Sequence, residues 1–524
     1  MRILVAEKLA PEGVALLEEE HEVDVRVGMS REEYLAALPD YEALLVRSGV
    51  KADAEAITAG KRLVVIGRAG VGVDNIDLPA ATEAGITVVN APTGNTTAAA
   101  EHTVALLFAL MRRIPAADAS MHSGAWNRSA FMGRELVGKT LGVIGLGKIG
   151  MAVADRARAL DMSVVGYDPY VTEEAAKLHG IERMSVEDIL KVADAVTVHV
   201  PKTKDTADLI STDELALMRP DAVIINVARG GVVDEAALAV ALAAGTIAGA
   251  AVDVYSSEPP TEDNPLLTAP NIILTPHLGA STAEAQTRVA VEAAEQVRDV
   301  LAGRSARHAI NAPMLTPETA DALAPYLPLA RTLGQFYAQF ADDLSNLTLE
   351  VAGELSEYDA GPLIAAALGG MLEQHTEERV NVINAGAMAK ARGIHLASHH
   401  SSDAGRFSSL LTLSGSERSV SGTVSFGNEP RLVALDGYEV DLAPAANMLV
   451  SRHQDRPGAI GVVGQTLGEA DINISNMHLG RSDKRSIAFM VLALDEPVPG
   501  AVAEQIGSYD GMLDVWLIGL DLPA

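Results

Sequence analysis

Short apolar runs and amphipathic stretches alternate along the first part of the chain. Runs at 3–6, 23–27, 43–46, 63–67 and 87–89 have the length and β-branched content of buried strands, and a helical pattern with proline near its start fills 11–19. Further strand patterns fall at 195–200, 223–227, 250–254 and 272–274. Two long helices are predicted, one over 96–113 closed by Pro115 and one over 281–301. Strands that alternate with helices predict parallel sheets covered on both faces. Beyond Pro313 the texture changes. Residues 317–375 read as helical with one strand near 347–351, and 407–414, 419–426, 431–435 and 438–442 read as antiparallel strands, with Asp436-Gly437 as a hairpin turn. From Asn447 the order strand, helix, strand, strand, helix, strand predicts a small ferredoxin-like module.

Composition narrows the function classes. A chain of 524 residues with 48% hydrophobic content supports three or four domains with sizeable cores. No apolar run reaches the roughly 18 residues that span a bilayer. The N-terminal residues lead directly into a strand pattern without a signal-peptide cleavage region, so a cytoplasmic location is expected. The absence of cysteine excludes disulfides, thiolate nucleophiles and cysteine-bound metals, and no metal site is expected. The loop reading of His395, His399 and His400 offers no ligand face. A net charge of −30 disfavours nucleic acid and requires a local group of cations for any anionic substrate.

The run Gly142-Val-Ile-Gly-Leu-Gly-Lys-Ile-Gly places Gly145, Gly147 and Gly150 between a strand and a helix, and Asp168 ends the next strand about 20 residues on. The first glycine permits the turn, the second lets the backbone approach a pyrophosphate, and the third lets the helix pack. The phosphates then face the free N–H groups of the helix N-terminus. Asp168 would hold the adenosine ribose and repel a 2′-phosphate, which favours NAD over NADP. The predicted architecture is α/β: a Rossmann-type cofactor domain (97–282) inserted in a flavodoxin-like, doubly wound substrate domain (1–96 and 283–316). An α+β intervening domain (317–446) and a ferredoxin-like terminal domain (447–524) follow. The cleft between the first two is the expected site.

Three polar residues follow strand ends of the cofactor domain: Arg229, Glu258 and His277. Hydride removal from a secondary alcohol needs a base for the hydroxyl proton, a role suited to histidine. A carboxylate bonded to that histidine would orient it and stabilise its charged form. A guanidinium would polarise the carbonyl and clamp a carboxylate.

The glycine run, Asn226-Val-Ala-Arg-Gly-Gly-Val-Val-Asp and Thr275-Pro-His-Leu-Gly-Ala-Ser-Thr resemble the signatures of the NAD-dependent D-2-hydroxyacid dehydrogenases. Val64-Val-Ile-Gly-Arg-Ala-Gly-Val-Gly-Val-Asp-Asn-Ile-Asp is similar to the branch that oxidises 3-phospho-D-glycerate, in its long form with intervening and ACT domains. The resemblance implies His277 as acid/base, Glu258 as its partner and Arg229 as the substrate-orienting cation. It implies cofactor contacts at Lys148, Ile149, Val71, Val200, Val227, Ala228, Asp253, Leu278, Gly279 and Ala280, with Asp253 at the nicotinamide carboxamide. Substrate contacts fall on Arg47, Ser48, Asn95 and Gln286, with Arg47 at the phosphate. Some relatives carry another basic residue two positions after Arg47, where this chain has Gly49; Lys139 and Arg134 are candidates for the missing charge.

The implied reaction is oxidation of 3-phospho-D-glycerate to 3-phosphohydroxypyruvate, the first step of L-serine synthesis. Alternatives are a glyoxylate or hydroxypyruvate reductase, or a non-enzymatic NAD-sensing scaffold. The segments Leu449-Val-Ser-Arg-His-Gln-Asp-Arg-Pro-Gly-Ala-Ile and Asp471-Ile-Asn-Ile-Ser look like an ACT domain, a paired amino-acid-binding module. His453, Asp455 and Asn473 match the serine-binding positions, which implies L-serine as effector and a homodimer or homotetramer.

Overall fold

The computed structural model describes residues 1–304, 306–312, 317–373, 376, 380–481, 483 and 485–522. The expected 316/317 domain boundary therefore falls at the edge of a stretch outside the described residues. The N-terminal sheet consists of β1 (Arg2–Val5), β2 (Glu22–Val25), β3 (Ala43–Val46), β4 (Val65–Arg68) and β5 (Thr87–Asn90). All pairings are parallel, in the order β2-β1-β3-β4-β5. Strand alternation sends Ile3, Val5, Leu45 and Val65 to one face, where Val297 and Leu301 of the Ala283–Leu301 helix cover them. Leu4, Leu44, Ile66 and Val88 fill the other face. The long helix thus brings the chain back to the first sheet after the second is complete.

The second sheet is parallel throughout: β6 (Thr140–Ile144), β7 (Ser163–Tyr167), β8 (Glu182–Arg183), β9 (Ala195–Val198), β10 (Val223–Asn226), β11 (Gly249–Val252) and β12 (Ile272–Leu274). Its order is β12-β11-β10-β9-β6-β7-β8, which reverses between β6 and β9. The predicted strands at 195–200, 223–227 and 250–254 overrun the observed ends by one or two residues, because those residues already belong to the loops that build the site. A second difference lies at Pro115. The Thr96–Met111 helix stops earlier than predicted, Arg113 turns left-handed at φ 53°, and Pro115 opens a new helix, Ile114–His122, instead of closing the old one. In the first turn of a helix a proline's missing N–H has no intrahelical partner to lose.

The third sheet contains β13 (Asn346–Gly353), β14 (His395–Ser401), β15 (Ser409–Ser414), β16 (Ser419–Ser425), β17 (Glu429–Leu435) and β18 (Tyr438–Leu442), in the order β14-β13-β15-β16-β17-β18. The loop expected at His395, His399 and His400 is instead the parallel edge strand β14. Most of its residues are exposed, so it carries no hydrophobic alternation, and only its ladder to β13 defines it.

The terminal sheet has β19 (Asn447–Gln454), β20 (Ile474–Arg481), β21 (Ile487–Leu494) and β22 (Met512–Gly519), in the order β20-β21-β19-β22. Leu449, Met490 and Leu492 face the module's own helices through Val463, Leu467 and Ile506. Met448, Val450, Phe489, Val491 and Ile518 face the other way and share one core with Phe336 and Phe340 of the Tyr326–Phe340 helix. Arg418 seals this seam. Its guanidinium lies 4.7 Å from the Trp516 ring centre and 5.1 Å from that of Phe340, and it pairs with Asp436 at 2.7 Å.

Candidate active site

The reversal between β6 and β9 is where a doubly wound sheet opens a crevice at its strand ends. Gly145 follows β6 at φ 97°, and a Cβ there would lie 2.5 Å from the carbonyl oxygen of His199, which follows β9. Only glycine meets both demands. Gly147 caps the Lys148–Ala159 helix; no side chain takes its N-terminal N–H groups, and the space over Gly147 is open. Gly150 lies directly against the Gly145 carbonyl. Asp168 follows β7 and accepts the N–H groups of Leu146 and Tyr170, each at 2.9 Å, so it holds the glycine turn in shape. His199 lies beneath the turn with Nε2 3.0 Å from the Thr197 hydroxyl, and burial lowers its pKa to about 4, leaving it neutral.

Open backbone donors, an unobstructed approach and a carboxylate at the next strand end suit the diphosphate and adenosine half of NAD. Lys148 and Ile149 begin the helix. Val200 borders Gly145, and Val227 borders Gly279, at the ends of β9 and β10.

The catalytic candidates come from three adjacent loops. The Asn226 side chain accepts from the Ala228 N–H and donates to the Arg229 carbonyl, both at 3.0 Å, which fixes the turn presenting Arg229. This turn packs through Gly230 on the backbone of Tyr255 and Ser256. The Tyr255 N–H binds Glu258 Oε1 at 3.1 Å, and Glu258 Oε2 lies 2.6 Å from His277 Nδ1. Burial pushes the Glu258 carboxyl up. The His277 contact and the Tyr255 N–H outweigh this and hold it below the usual carboxylate range. With Nδ1 engaged, His277 Nε2 has no partner among the described residues.

Asp253, expected at the nicotinamide carboxamide, is engaged by its own loop. It is fully buried, and it accepts from the Thr275 hydroxyl (2.5 Å) and the N–H groups of Leu278 (2.7 Å) and Gly279 (2.9 Å), with His102 Nε2 at 3.3 Å. The His277 N–H donates to the Asp253 carbonyl at 2.9 Å. The loop carrying His277, itself left-handed at φ 54°, therefore hangs on one carboxylate. Ala280 and Gln286 are joined by an amide-to-carbonyl bond of 2.7 Å.

The first sheet supplies the opposite wall. The backbone at Gly72 lies against the Arg229 guanidinium, and Arg229 Nε is 3.4 Å from Asp74. Val71 is held by Asn90, whose amide donates to its carbonyl at 2.5 Å. Asn95 precedes the Thr96–Met111 helix with its Oδ1 buried and unpartnered. Arg47 is partly buried and Ser48 exposed after β3. Lys139 and Arg134, the candidates for the charge absent at Gly49, are instead paired with Asp194 (3.5 Å) and Asp221 (3.4 Å). Sequence reasoning missed Arg68 at the end of β4. Burial and the nearby Arg229 bring its pKa down to about 10. The strand-end rule that found Arg229 would have found Arg68 had it been applied to the first sheet.

In the terminal module His453 is buried with Nδ1 unpartnered, and Asp455 beside it accepts from Arg481 (2.9 Å) and the Arg485 N–H (3.1 Å). Asn473 is bound to Asp495 at 2.6 Å, and among the described residues no hydrogen bond joins it to the other two.

Three family profiles match along the chain: the D-isomer specific 2-hydroxyacid dehydrogenase NAD-binding domain at 104–279, the D-3-phosphoglycerate dehydrogenase intervening domain at 322–436, and the ACT domain at 448–511. The D-3-phosphoglycerate dehydrogenase of Synechocystis sp. is 43% identical over 525 residues, covering 99% of this chain and 95% of its own. That of Archaeoglobus fulgidus is 42% identical over 528 residues, covering 99% and 100%. The chain belongs to the D-3-phosphoglycerate dehydrogenase family. Solved structures match a little over half of the chain. The TT0316 protein of Thermus thermophilus is 36% identical with a TM-score of 0.55, covering 59% of this chain and 100% of that one. The Aquifex aeolicus D-lactate dehydrogenase, solved with NAD and lactic acid, is 28% identical with a TM-score of 0.52, covering 58% and 96%.

Proposed function

We propose that this chain oxidises 3-phospho-D-glycerate to 3-phosphohydroxypyruvate with NAD as acceptor, the first step of L-serine synthesis. The observation that carries the reading is the 2.6 Å His277–Glu258 pair on the loops next to that of Arg229, whose guanidinium faces Asp74 of the first sheet at 3.4 Å across the interdomain cleft. His277 Nε2 takes the C2 hydroxyl proton, and Glu258 stabilises the imidazolium that forms. Arg229 clamps the substrate carboxylate and polarises the developing carbonyl. NAD, when bound, supplies the hydride acceptor. The Asp253 network holds the His277 loop so that the base needs no rearrangement at the moment of reaction.

The same reading divides the chain into the substrate domain (1–96 and 283–316), the NAD domain (97–282), the intervening domain (317–446) and the ACT domain (447–524). It makes L-serine the effector at His453, Asp455 and Asn473, and the protein a cytoplasmic homo-oligomer. Supporting the last point, no residue of the Ile114–His122 helix is buried, and Ile114, Met121, Trp126 and Met132 are exposed around it. NADH formation from 3-phosphoglycerate, repeated with added L-serine, tests substrate and regulation together. The expected result is turnover that falls as serine rises. Reduction of glyoxylate or hydroxypyruvate without oxidation of 3-phosphoglycerate would favour the reductase alternative.

A further inference from the structure

The Thr96–Met111 helix lies between the last strand of the first sheet and the first strand of the second, and it touches the loop that carries His277 at two places. Asn95, a candidate substrate contact, precedes its first turn. Ala99 and His102, four and seven residues further on, lie on the same face. The Ala99 methyl borders Gly279, where a Cβ would stand 3.9 Å from it. His102 Nε2 lies 3.3 Å from Asp253 Oδ1 and 3.3 Å from the Thr275 hydroxyl.

Donors and acceptors in this trio follow from its chemistry. The Thr275 hydroxyl gives its hydrogen to Asp253 Oδ1 at 2.5 Å. Burial raises the Asp253 carboxyl, but the contacts around it, with His102 foremost, hold it below the usual carboxylate range, so it is ionised and can only accept. Both oxygens next to His102 are thus acceptors. His102 therefore carries its hydrogen on Nε2 and shares it between them. Among the described residues it is also the one side chain able to bear positive charge that touches this buried carboxylate. The other donors to Asp253, the Thr275 hydroxyl and the N–H groups of Leu278 and Gly279, belong to the loop itself. His102 is the donor that enters from a different element, and that element starts beside Asn95.

We propose that His102 is a positioning residue for the proton transfer: through Asp253 it fixes where the His277 imidazole stands relative to substrate held near Asn95. This assignment rests on the dehydrogenase reading above and deepens it.

The test compares two variants of the full chain. The side chain of His102 is 19% exposed, so leucine fills its place while removing the donor. Glutamine keeps a donor at about the reach of Nε2. In NADH formation from 3-phosphoglycerate, His102→Leu should lower kcat about tenfold, the scale of one lost hydrogen bond to a charged group. Its KM for NAD should stay within about twofold, since the glycine turn is untouched. His102→Gln should restore kcat to within about threefold of the unaltered chain. Amide hydrogen exchange over 275–280 reads the loop without substrate: protection should fall in His102→Leu and persist in His102→Gln. Unchanged kcat and protection in His102→Leu overturn the assignment. So does an equal loss in both variants, or a loss of kcat matched by a rise in KM for NAD, since either marks a merely structural histidine. If the unaltered chain forms no NADH from 3-phosphoglycerate, the parent reading fails, and the exchange measurement still decides whether His102 holds the loop.

Discussion

Arg229 and Asp74 face each other at 3.4 Å from opposite sides of the cleft, one carried by the second sheet and the other by the first. On the proposed reading, the carboxylate of an incoming hydroxyacid takes over the guanidinium that Asp74 holds. Asp74 is largely exposed, so its hold is weak. Asp74→Asn should therefore lower the KM for substrate by a few fold. A raised KM would instead mean that Asp74 positions Arg229.

The 2.6 Å His277–Glu258 contact makes separate demands on its two members. His277→Ala should abolish turnover while NAD affinity, measured by calorimetric titration, stays within about twofold of the unaltered chain, since the imidazole acts on the substrate proton. Glu258→Gln keeps the shape but removes the charge that steadies the imidazolium, and should lower kcat by about a hundredfold. Wild-type turnover in either variant removes that residue from the mechanism.

Asp253 accepts three contacts from the loop that carries His277 and lies within reach of His102 on the Thr96–Met111 helix, so Asp253→Asn should cost about 3 kcal/mol of stability as well as activity. Burial raises its pKa, but the contacts from His102, Thr275 and the loop N–H groups outweigh burial and leave it depressed. A carboxylate depressed in the folded state stabilises the protein above its unfolded pKa and loses that contribution as pH falls through the folded value. Melting temperatures measured downward from about pH 4 should therefore fall more steeply for the unaltered chain than for Asp253→Asn.

Arg68 is a cation held in a site that resists charge, with a buried Nε lacking a hydrogen-bond partner. Replacing such a charge by an apolar side chain of similar length is commonly neutral or stabilising. Arg68→Met should leave the melting temperature unchanged or raise it, yet raise KM for the anionic substrate about tenfold or more, the scale of a lost charge-assisted contact. A clear loss of thermal stability would show Arg68 to be structural.

Trp516 stands between the terminal sheet and the helix of the preceding domain, beneath Arg418. Trp516→Ala should destabilise the C-terminal half by about 3 kcal/mol and blunt inhibition by serine. Basal turnover, whose groups lie in the first two sheets, should change little. Serine inhibition that survives intact would separate the seam from the regulatory response.

The parts of this protein legible in its sequence are those where one residue type answers one physical demand. Gly145 meets a left-handed turn against a carbonyl, and Asp168 and His277 fall where parallel strands end. The parts that were not legible depend on what lies across from them. Strand β14 exists through its ladder to β13, and no periodicity marks it. Pro115 fits the start of one helix as readily as the end of another, and the left-handed Arg113 decides between them. The sequence marks Asp253 as a cofactor contact, and its hold on the His277 loop becomes visible only in the folded chain. Arg68 ends β4 and answers to the same strand-end rule as Arg229; only the effect of Arg229 on it needed the second sheet.

The alternate faces of β19 and β21 are both covered, one by the module's own helices and the other by the domain before it. Such a module is no interchangeable cassette. Severed at residue 447, it would carry a bare plane of Met448, Phe489, Val491 and Ile518 into water and stick to whatever it met. Recombination that swaps effector sensors between enzymes of this kind would have to carry the preceding segment along, so these two stretches are expected to travel through descent as one inherited piece.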